Sequence, residues 1–387
     1  MKEDFQRSQE DLNRVKRLRE HYRKNFKQGA SDDAFLGWVQ ETLDIINGLG
    51  WKLPSKGEKM SSDKKSISEP LRVAVNSSAS TFSVVSLFSG CGGMDLGFNG
   101  GFTFLGKKYK RHPFKLVWAN EINEAACRSY RKNIGSHIIT GDIWSLLDSL
   151  PSEADVVIGG FPCQDISVNG KGAGINGKRS GLYRAMVEAV SRLKPKVFVA
   201  ENVKGLLMKH HAEALERVLS DFRALGYDVT YKLYHAAAYG VPQSRERVFI
   251  VGTLPGVRGF ISPKEVLSVN NHVTAEMALD DLASIEENSK TNHIWSRANR
   301  SPEQGNRKLI ADRPGYTIRA ECHGNIQWHY KLPRRISMRE AARIQSFPDT
   351  FIFDAKLRET ERQLGNAVPP VLAWHIAKAV SEALKPR

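Results

Sequence analysis

The sequence predicts an α/β protein: a doubly wound, mostly parallel sheet, with a smaller second lobe and an N-terminal helical extension. Three observations predict it. Between Ser83 and Val251, short apolar runs alternate with amphipathic segments, as strands covered on both faces by crossover helices do. Glycine-rich turns follow the runs ending at Phe88 and Gly159, at the strand ends where open α/β sheets hold ligands. The alternation stops near residue 252 and helical patterns return after 334, so a separate lobe interrupts the main domain. At 387 residues the chain is long enough for a large core and a second lobe.

Residues 1–54 read as a helical extension. Leu12, Val15, Leu18, Tyr22 and Phe26 recur at helical spacing, as do Phe35, Val39, Leu43 and Ile46, and Gly48 and Gly50 close the second helix. Residues 55–82, rich in Ser and Lys, read as a linker. The catalytic domain is expected over 83–251. Its strands are Ser83–Phe88, Phe114–Ala119, His137–Ile139, Asp155–Gly159, Lys196–Ala200, Val229–Tyr234 and Arg247–Val251. Helices are expected around Asn123–Asn133, Leu182–Leu193 and 211–225. Residues 252–333 are polar with weak strand runs and form the second lobe. Helices at Ser337–Ile344 and Val371–Leu384 mark a segment, 334–387, that rejoins the main domain.

Composition narrows the function. There are 57 Lys+Arg against 42 Asp+Glu, a net charge of +15, which favours a polyanionic partner. The four cysteines, Cys91, Cys127, Cys163 and Cys322, form no Cys-x-x-Cys pair, so no metal site is expected and reduced cytoplasmic thiols are. No apolar run is long enough to span a bilayer, and the charged start is not a secretory signal.

The chemistry gathers at Gly160-Phe161-Pro162-Cys163-Gln164. A thiol here stands at a stiff corner, because Pro162 fixes its own φ and restrains Phe161. The glycine turn Phe88-Ser89-Gly90-Cys91-Gly92-Gly93 lacks the Gly-Lys-Ser/Thr ending of a phosphate-binding loop. Glu121 after the second strand and Asp142 after the third add carboxylates over the same edge. Such a set suits a nucleoside ligand without phosphates, and S-adenosyl-L-methionine is one.

These blocks resemble the DNA (cytosine-5)-methyltransferases of bacterial restriction–modification systems. Alongside the two turns, the matching blocks are Glu201-Asn202-Val203, Gln243-Ser244-Arg245-Glu246-Arg247, the stretch Arg335–Pro348, and Gly365-Asn366-Ala367-Val368, in the family's order. The resemblance covers 83–387. Ser89 and Cys91 depart from the residues common in the glycine loop without disturbing the chemistry.

The resemblance implies an enzyme that moves a methyl group from S-adenosyl-L-methionine to C5 of a cytosine flipped out of duplex DNA. It implies Cys163 as the nucleophile, Glu201 as the acid near N3 and Arg245 in the base pocket. Arg247 either joins them or holds Glu201 and the sheet in place. For the cofactor it implies Phe88, Gly90, Cys91, Gly92, Gly93, Glu121, Ile122, Asp142, Ile143, Pro162, Asn366 and Ala367. For DNA it implies Gln164, Ser167, Arg179 and Gln243, with a lid built on Gly170, Gly172, Gly174 and Gly177 and carrying Lys171 and Lys178. Arg319 and Asn325 in the second lobe are candidates for reading guanine and adenine. The partners expected are double-stranded DNA and a companion restriction endonuclease, with a monomeric enzyme in the cytoplasm. A tRNA cytosine methyltransferase is the alternative within catalysis, and a DNA-binding regulator the alternative outside it. The second lobe and basic extension favour DNA, and intact Cys163, Glu201 and Arg245 favour an enzyme. A cysteine hydrolase would need a histidine near Cys163, and none is evident.

Overall fold

The central strands coincide with short apolar runs of the sequence, and shorter strands form outside those runs. They are β1 (Phe82–Leu87), β2 (Phe102–Phe104), β3 (Lys107–Tyr109), β4 (Phe114–Glu121), β5 (Ile138–Thr140), β6 (Val156–Gly160), β7 (Val197–Val203), β8 (Asp228–His235), β9 (Gln243–Ser244), β10 (Glu246–Thr253) and β11 (Gly315–Tyr316). The structure, a computed structural model, describes residues 81–162, 181–297, 307–320 and 327–385. The expected N-terminal extension, most of the linker, the lid glycines and Cys163, Gln164, Ser167, Arg179, Cys322 and Asn325 lie outside the described residues.

Seven strands make the main sheet, in the order β5-β4-β1-β6-β7-β10-β8. The chain lays down β1, β4 and β5 on one side, then returns to place β6 against the other edge of β1. This reversal makes β1/β6 the switch point, where a crevice opens at the strands' C-terminal ends. β7 continues in parallel beside β6, while β10 inserts antiparallel between β7 and β8. The sheet is thus parallel except for β10, as expected from the alternating pattern.

Alternation along the strands divides the core into two layers. Val84, Ile158, Val199 and Phe249 face a cluster closed by α1 (Gly93–Asn99) and the C-terminal helix. Val85, Val157, Phe198 and Ile250 face the opposite cluster. That side is covered by α4 (Leu182–Leu193) and α5 (Ala212–Ala224), after α2 (Glu124–Asn133) and α3 (Ile143–Leu146) earlier in the chain. Phe198 stacks on Phe222 of α5 at 4.1 Å between centroids. Each such buried side chain contributes about 1.5–3 kcal/mol.

The second lobe has little regular structure: α6 (Ala275–Leu279), a few 3₁₀ turns, and β11, which pairs in parallel with β9. Its core does not stop at residue 333. Ala278, Leu279, Leu309 and Ile318 pack with Ile336, Phe347 and Leu364, so one cluster joins the lobe to α7 (Met338–Ile344) and α8 (Leu357–Asn366). Ser337 starts α7 with a capping box, its hydroxyl accepting from Glu340 N while the Glu340 carboxylate accepts from Ser337 N. The last helix, α9 (Pro370–Ala383), belongs to the main domain and packs on α1. The described residues form one compact unit in which the C-terminal segment packs on both the sheet and 252–333, and α8 and the β2–β3 hairpin are elements that the apolar pattern does not announce.

Candidate active site

A cavity of about 920 Å³ opens at the C-terminal ends of β1, β4, β6 and β7. Its floor is the turn after β1. Phe88 is held at φ 54 and Gly90 at φ 56, the first an unusual conformation for a side chain with a Cβ. Backbone N–H groups of that turn are taken up by β4: Ser89 N donates to Asn120 O. Gly90 N donates to Glu121 Oε2 at 3.0 Å, and Asn123 N donates to Glu121 Oε1 at 2.8 Å. The carboxylate is thereby fixed at the cavity edge, and burial raises its pKa. Ile122 beside it is 70% exposed, an apolar surface facing the opening. Asp142 caps α3, accepting from Trp144 N at 3.0 Å, and lines the same wall with Ile143.

The opposite wall comes from the far end of the chain. Gly365, Asn366, Ala367 and Val368 line it, and a Cβ on Gly93 would come 2.3 Å from Val368 O. The two segments touch because position 93 has no side chain. Phe88, Gly90, Cys91, Gly93, Glu121, Ile122, Asp142, Ile143, Pro162, Asn366 and Ala367 all line the cavity. Gly92 does not: its φ of 93 directs any Cβ back into Tyr130 and Ile134. The Cys91 thiol is buried, which pushes its pKa up.

The reactive corner is built by β6 and β7. Gly160 pairs with Glu201, and a Cβ on Gly160 would lie 2.9 Å from Glu201 Oε2, so the carboxylate stands directly over the turn. Asn202 Nδ2 donates to Phe161 O at 3.0 Å and ties β7 to the turn after β6. Glu201 does not leave the strand, as the sequence suggests; β7 runs on to Val203. Burial raises the Glu201 pKa, and the Arg247 and Arg245 cations oppose that rise without cancelling it.

The two arginines part company. Arg247 Nε lies 2.8 Å from Glu201 Oε1 and lines the cavity. Arg245, expected in the base pocket, is 1% exposed and turns away. Its guanidinium donates to Ile318 O, Gly365 O and Ala367 O. The reason is local backbone geometry. Gln243 N donates to Val241 O and Arg245 N to Gln243 O, so the chain makes successive tight turns up to Arg245, while Arg247 lies in the regular strand β10 that starts at Glu246. Gln243, expected at the DNA, is likewise buried, with its amide used by Ile318 N, Ile344 O and the Gln345 side chain. Arg319 is exposed and lines the cavity mouth with Thr317 and Ala320.

Sequence reasoning missed Gln363 and Asp95. Both are buried beside the cavity, and neither atom of the Gln363 amide, nor Asp95 Oδ2, has a partner among the described residues. Gln363 sits just before the Gly365-Asn366 block on α8, a helix whose sequence carries no apolar stripe.

Comparison with known proteins follows this geometry. The sequence matches the C-5 cytosine-specific DNA methylases over residues 82–310 and 284–382. It is 37% identical over 340 residues to the type II methyltransferase M.NgoFVII of Neisseria gonorrhoeae, across 79% of this chain and 88% of that protein. It is 33% identical over 339 residues to M.FnuDI of Fusobacterium nucleatum, across 78% and 94%. In fold it is similar to a putative DNA modification methyltransferase of an Escherichia coli prophage, with TM-score 0.61 and 21% identity over 79% of this chain and 99% of that one. A second similar fold is the Dnmt2 methyltransferase of S. pombe, with TM-score 0.59 and 20% identity over 77% and 98%. The chain therefore belongs to the C-5 cytosine-specific DNA methylases, enzymes that methylate cytosine with S-adenosyl-L-methionine as donor.

Proposed function

We propose that this enzyme methylates C5 of one cytosine in a short duplex DNA sequence, through a covalent adduct of Cys163 with a flipped-out base. One observation carries the reading: Glu201, paired with Arg247, stands over the turn that leads into Cys163, in the cavity shared with the glycine loop.

The lining suits the cofactor. Carboxylates at Glu121 and Asp142 match ribose hydroxyls and an adenine amine, exposed Ile122 offers a face to a purine, and the open space at Gly90 admits close backbone approach. The unpartnered Gln363 amide leaves a buried donor and acceptor for a polar ligand. When bound, S-adenosyl-L-methionine supplies the methyl group taken by C5.

The chain's own residues do the rest. The Cys163 thiolate adds to C6, forming the sulfur–carbon bond and pushing an electron pair through the ring towards N3. Glu201, whose pKa burial raises, shares a proton with N3 and relieves that charge. Arg247 fixes the carboxyl and offers its remaining N–H groups to the ring. Water then takes the C5 proton, the sulfur–carbon electron pair leaves with sulfur as the thiolate, and N3 returns its proton to Glu201, which restores the ring. Rotating the base out of the stack costs about a few kcal/mol, which phosphate contacts across a chain of charge +15 offset.

The match to type II methyltransferases supports a protective role beside a companion endonuclease. No helix among the described residues is long and apolar enough to cross a membrane. Duplex DNA carrying 5-fluorocytosine tests the mechanism, because fluorine cannot leave C5 as a proton does. A stable adduct mapped to Cys163 by mass spectrometry, and lost in Cys163→Ala, is expected; an adduct on Cys91, Cys127 or Cys322 would overturn it.

A further inference from the structure

Arg245 links two walls of the cavity that are distant in sequence. Nη1 donates to Ile318 O at 2.9 Å, on the wall formed by Thr317–Ala320. Nη2 donates to Gly365 O at 2.9 Å and Ala367 O at 3.1 Å, on the wall that carries Asn366. Neighbours of Arg245 strengthen the tie: Thr317 Oγ1 donates to Ser244 O at 2.6 Å, and Gln243 accepts from Ile318 N at 3.0 Å. The walls also touch directly, since a Cβ on Gly365 would lie 2.2 Å from Ala320 N and 2.3 Å from Arg319 C.

Among the described residues this buried guanidinium is held by main-chain carbonyls through Nη1 and Nη2 while Nε has no partner, so movement of either wall would leave a further desolvated N–H unpaired. Whatever orders Gly365–Ala367 therefore completes the cradle for Arg245 and steadies Ile318, and the reverse holds equally. We propose that Arg245 is a positioning residue that couples the cofactor side of the cavity to the target side, so that cofactor and duplex DNA tighten each other's binding through this guanidinium. The inference rests on the cavity being the cofactor and cytosine site.

The test is titration calorimetry of the full chain with S-adenosylhomocysteine, with and without a saturating duplex carrying the methylation site mapped by bisulfite sequencing. In the wild type the duplex should tighten binding by about 5–150-fold, and S-adenosylhomocysteine should tighten the duplex by the same factor. Arg245→Lys keeps the charge but cannot reach carbonyls on both walls, so its coupling should fall to within about twofold of none. A purely structural role would lower stability or both affinities and leave the coupling factor alone. Coupling in Arg245→Lys equal to that of the wild type, or none in the wild type, overturns the proposal. Should Arg245→Lys lack native circular dichroism, Thr317→Val replaces it: a fall of about threefold or more is expected, and undiminished coupling overturns the proposal. Glu121→Gln separates this from the underlying reading. If the cavity is not the cofactor site, that variant binds S-adenosylhomocysteine like the wild type; if only the coupling fails, it still binds weakly.

Discussion

Arg247 Nε and Glu201 Oε1 stand 2.8 Å apart, and only 11% of either side chain reaches solvent. Burial raises the carboxyl's pKa, and Arg247 is the strongest influence holding it down. The protonated carboxyl is the form that serves N3, so activity should fall as pH rises through the Glu201 pKa. Removing the cation in Arg247→Ala raises that pKa further. The basic limb of the kcat profile should then move to higher pH, with kcat down by about 10²–10³-fold. Glu201→Gln, which has no proton to share, should lose about 10²–10⁴-fold in kcat and lack that limb altogether. A limb that stays in place in Arg247→Ala would show that Glu201 does not govern it.

The cofactor wall gives a second expectation. Both Glu121 oxygens accept backbone N–H groups, from Gly90 and Asn123. In Glu121→Gln the new amide NH₂ must face one of those donors, at a cost of about 1–3 kcal/mol. Binding of S-adenosylhomocysteine should weaken by about tenfold or more, while the circular dichroism spectrum stays native. Asp142→Ala removes a carboxylate and the α3 cap together, whereas Asp142→Asn keeps the cap. The alanine variant should be the weaker binder, and equal affinity in wild type and alanine variant would remove Asp142 from the site.

How far the sequence reveals this site depends on the kind of signal. The strands are legible because continuous apolar runs are what burial on both faces requires, and Val156–Gly160 or Val197–Ala200 could be little else. Glu121, Asp142 and the glycine loop follow from those strand ends. The Arg245–Arg247 division is not legible, because the tight turns at Gln243 and Arg245 leave no mark in residue spacing. Helix α8 is hidden for another reason. It buries Thr360, Gln363 and Gly365 with a single leucine, Leu364, so no apolar stripe appears. The shared core of lobe and C-terminal segment depends on contacts such as Ile318 with Leu364's cluster, which join residues far apart in the chain.

Asp95 makes a pH-dependent prediction about stability. It is fully buried, receives the Tyr130 hydroxyl at 2.8 Å, and its pKa is pushed up to about 6 by burial. A folded-state pKa above the unfolded one gives stability that is complete below the unfolded value and is lost as pH rises through the folded one. Unfolding free energy of the wild type, relative to Asp95→Asn, should therefore fall between about pH 4 and 7 by about 3 kcal/mol, then level off. Urea denaturation across that range reads the difference directly. Parallel curves for the two proteins would show that Asp95 titrates in the folded protein as it does in the unfolded chain.

Sequence choice is the last matter, and the shared core decides how to test it. Phosphate contacts give salt-sensitive affinity without sequence choice, so base reading should lie in 252–333, which carries no matched catalytic block. Exchanging all of 252–333 with a relative would replace Ala278, Leu279, Leu309 and Ile318 while keeping Ile336, Phe347 and Leu364 opposite them. It would also replace Gly315 and Tyr316, the partners of Gln243 and Ser244, and the carbonyl at Ile318 that Arg245 holds. Each mismatched core contact costs about 1–3 kcal/mol, so that graft should fold poorly. A graft that keeps 275–282 and 308–320 native leaves this wall intact and should fold. Bisulfite sequencing of plasmid DNA treated with it should show methylation moved to the relative's site. Arg319 stays native in that graft, so it is tested alone: Arg319→Ala should weaken recognition at one base pair by about 1–3 kcal/mol if its contact is bidentate. An active graft that still methylates the original site places recognition outside the exchanged residues, with the retained Thr317–Ala320 segment at the cavity mouth first among the alternatives.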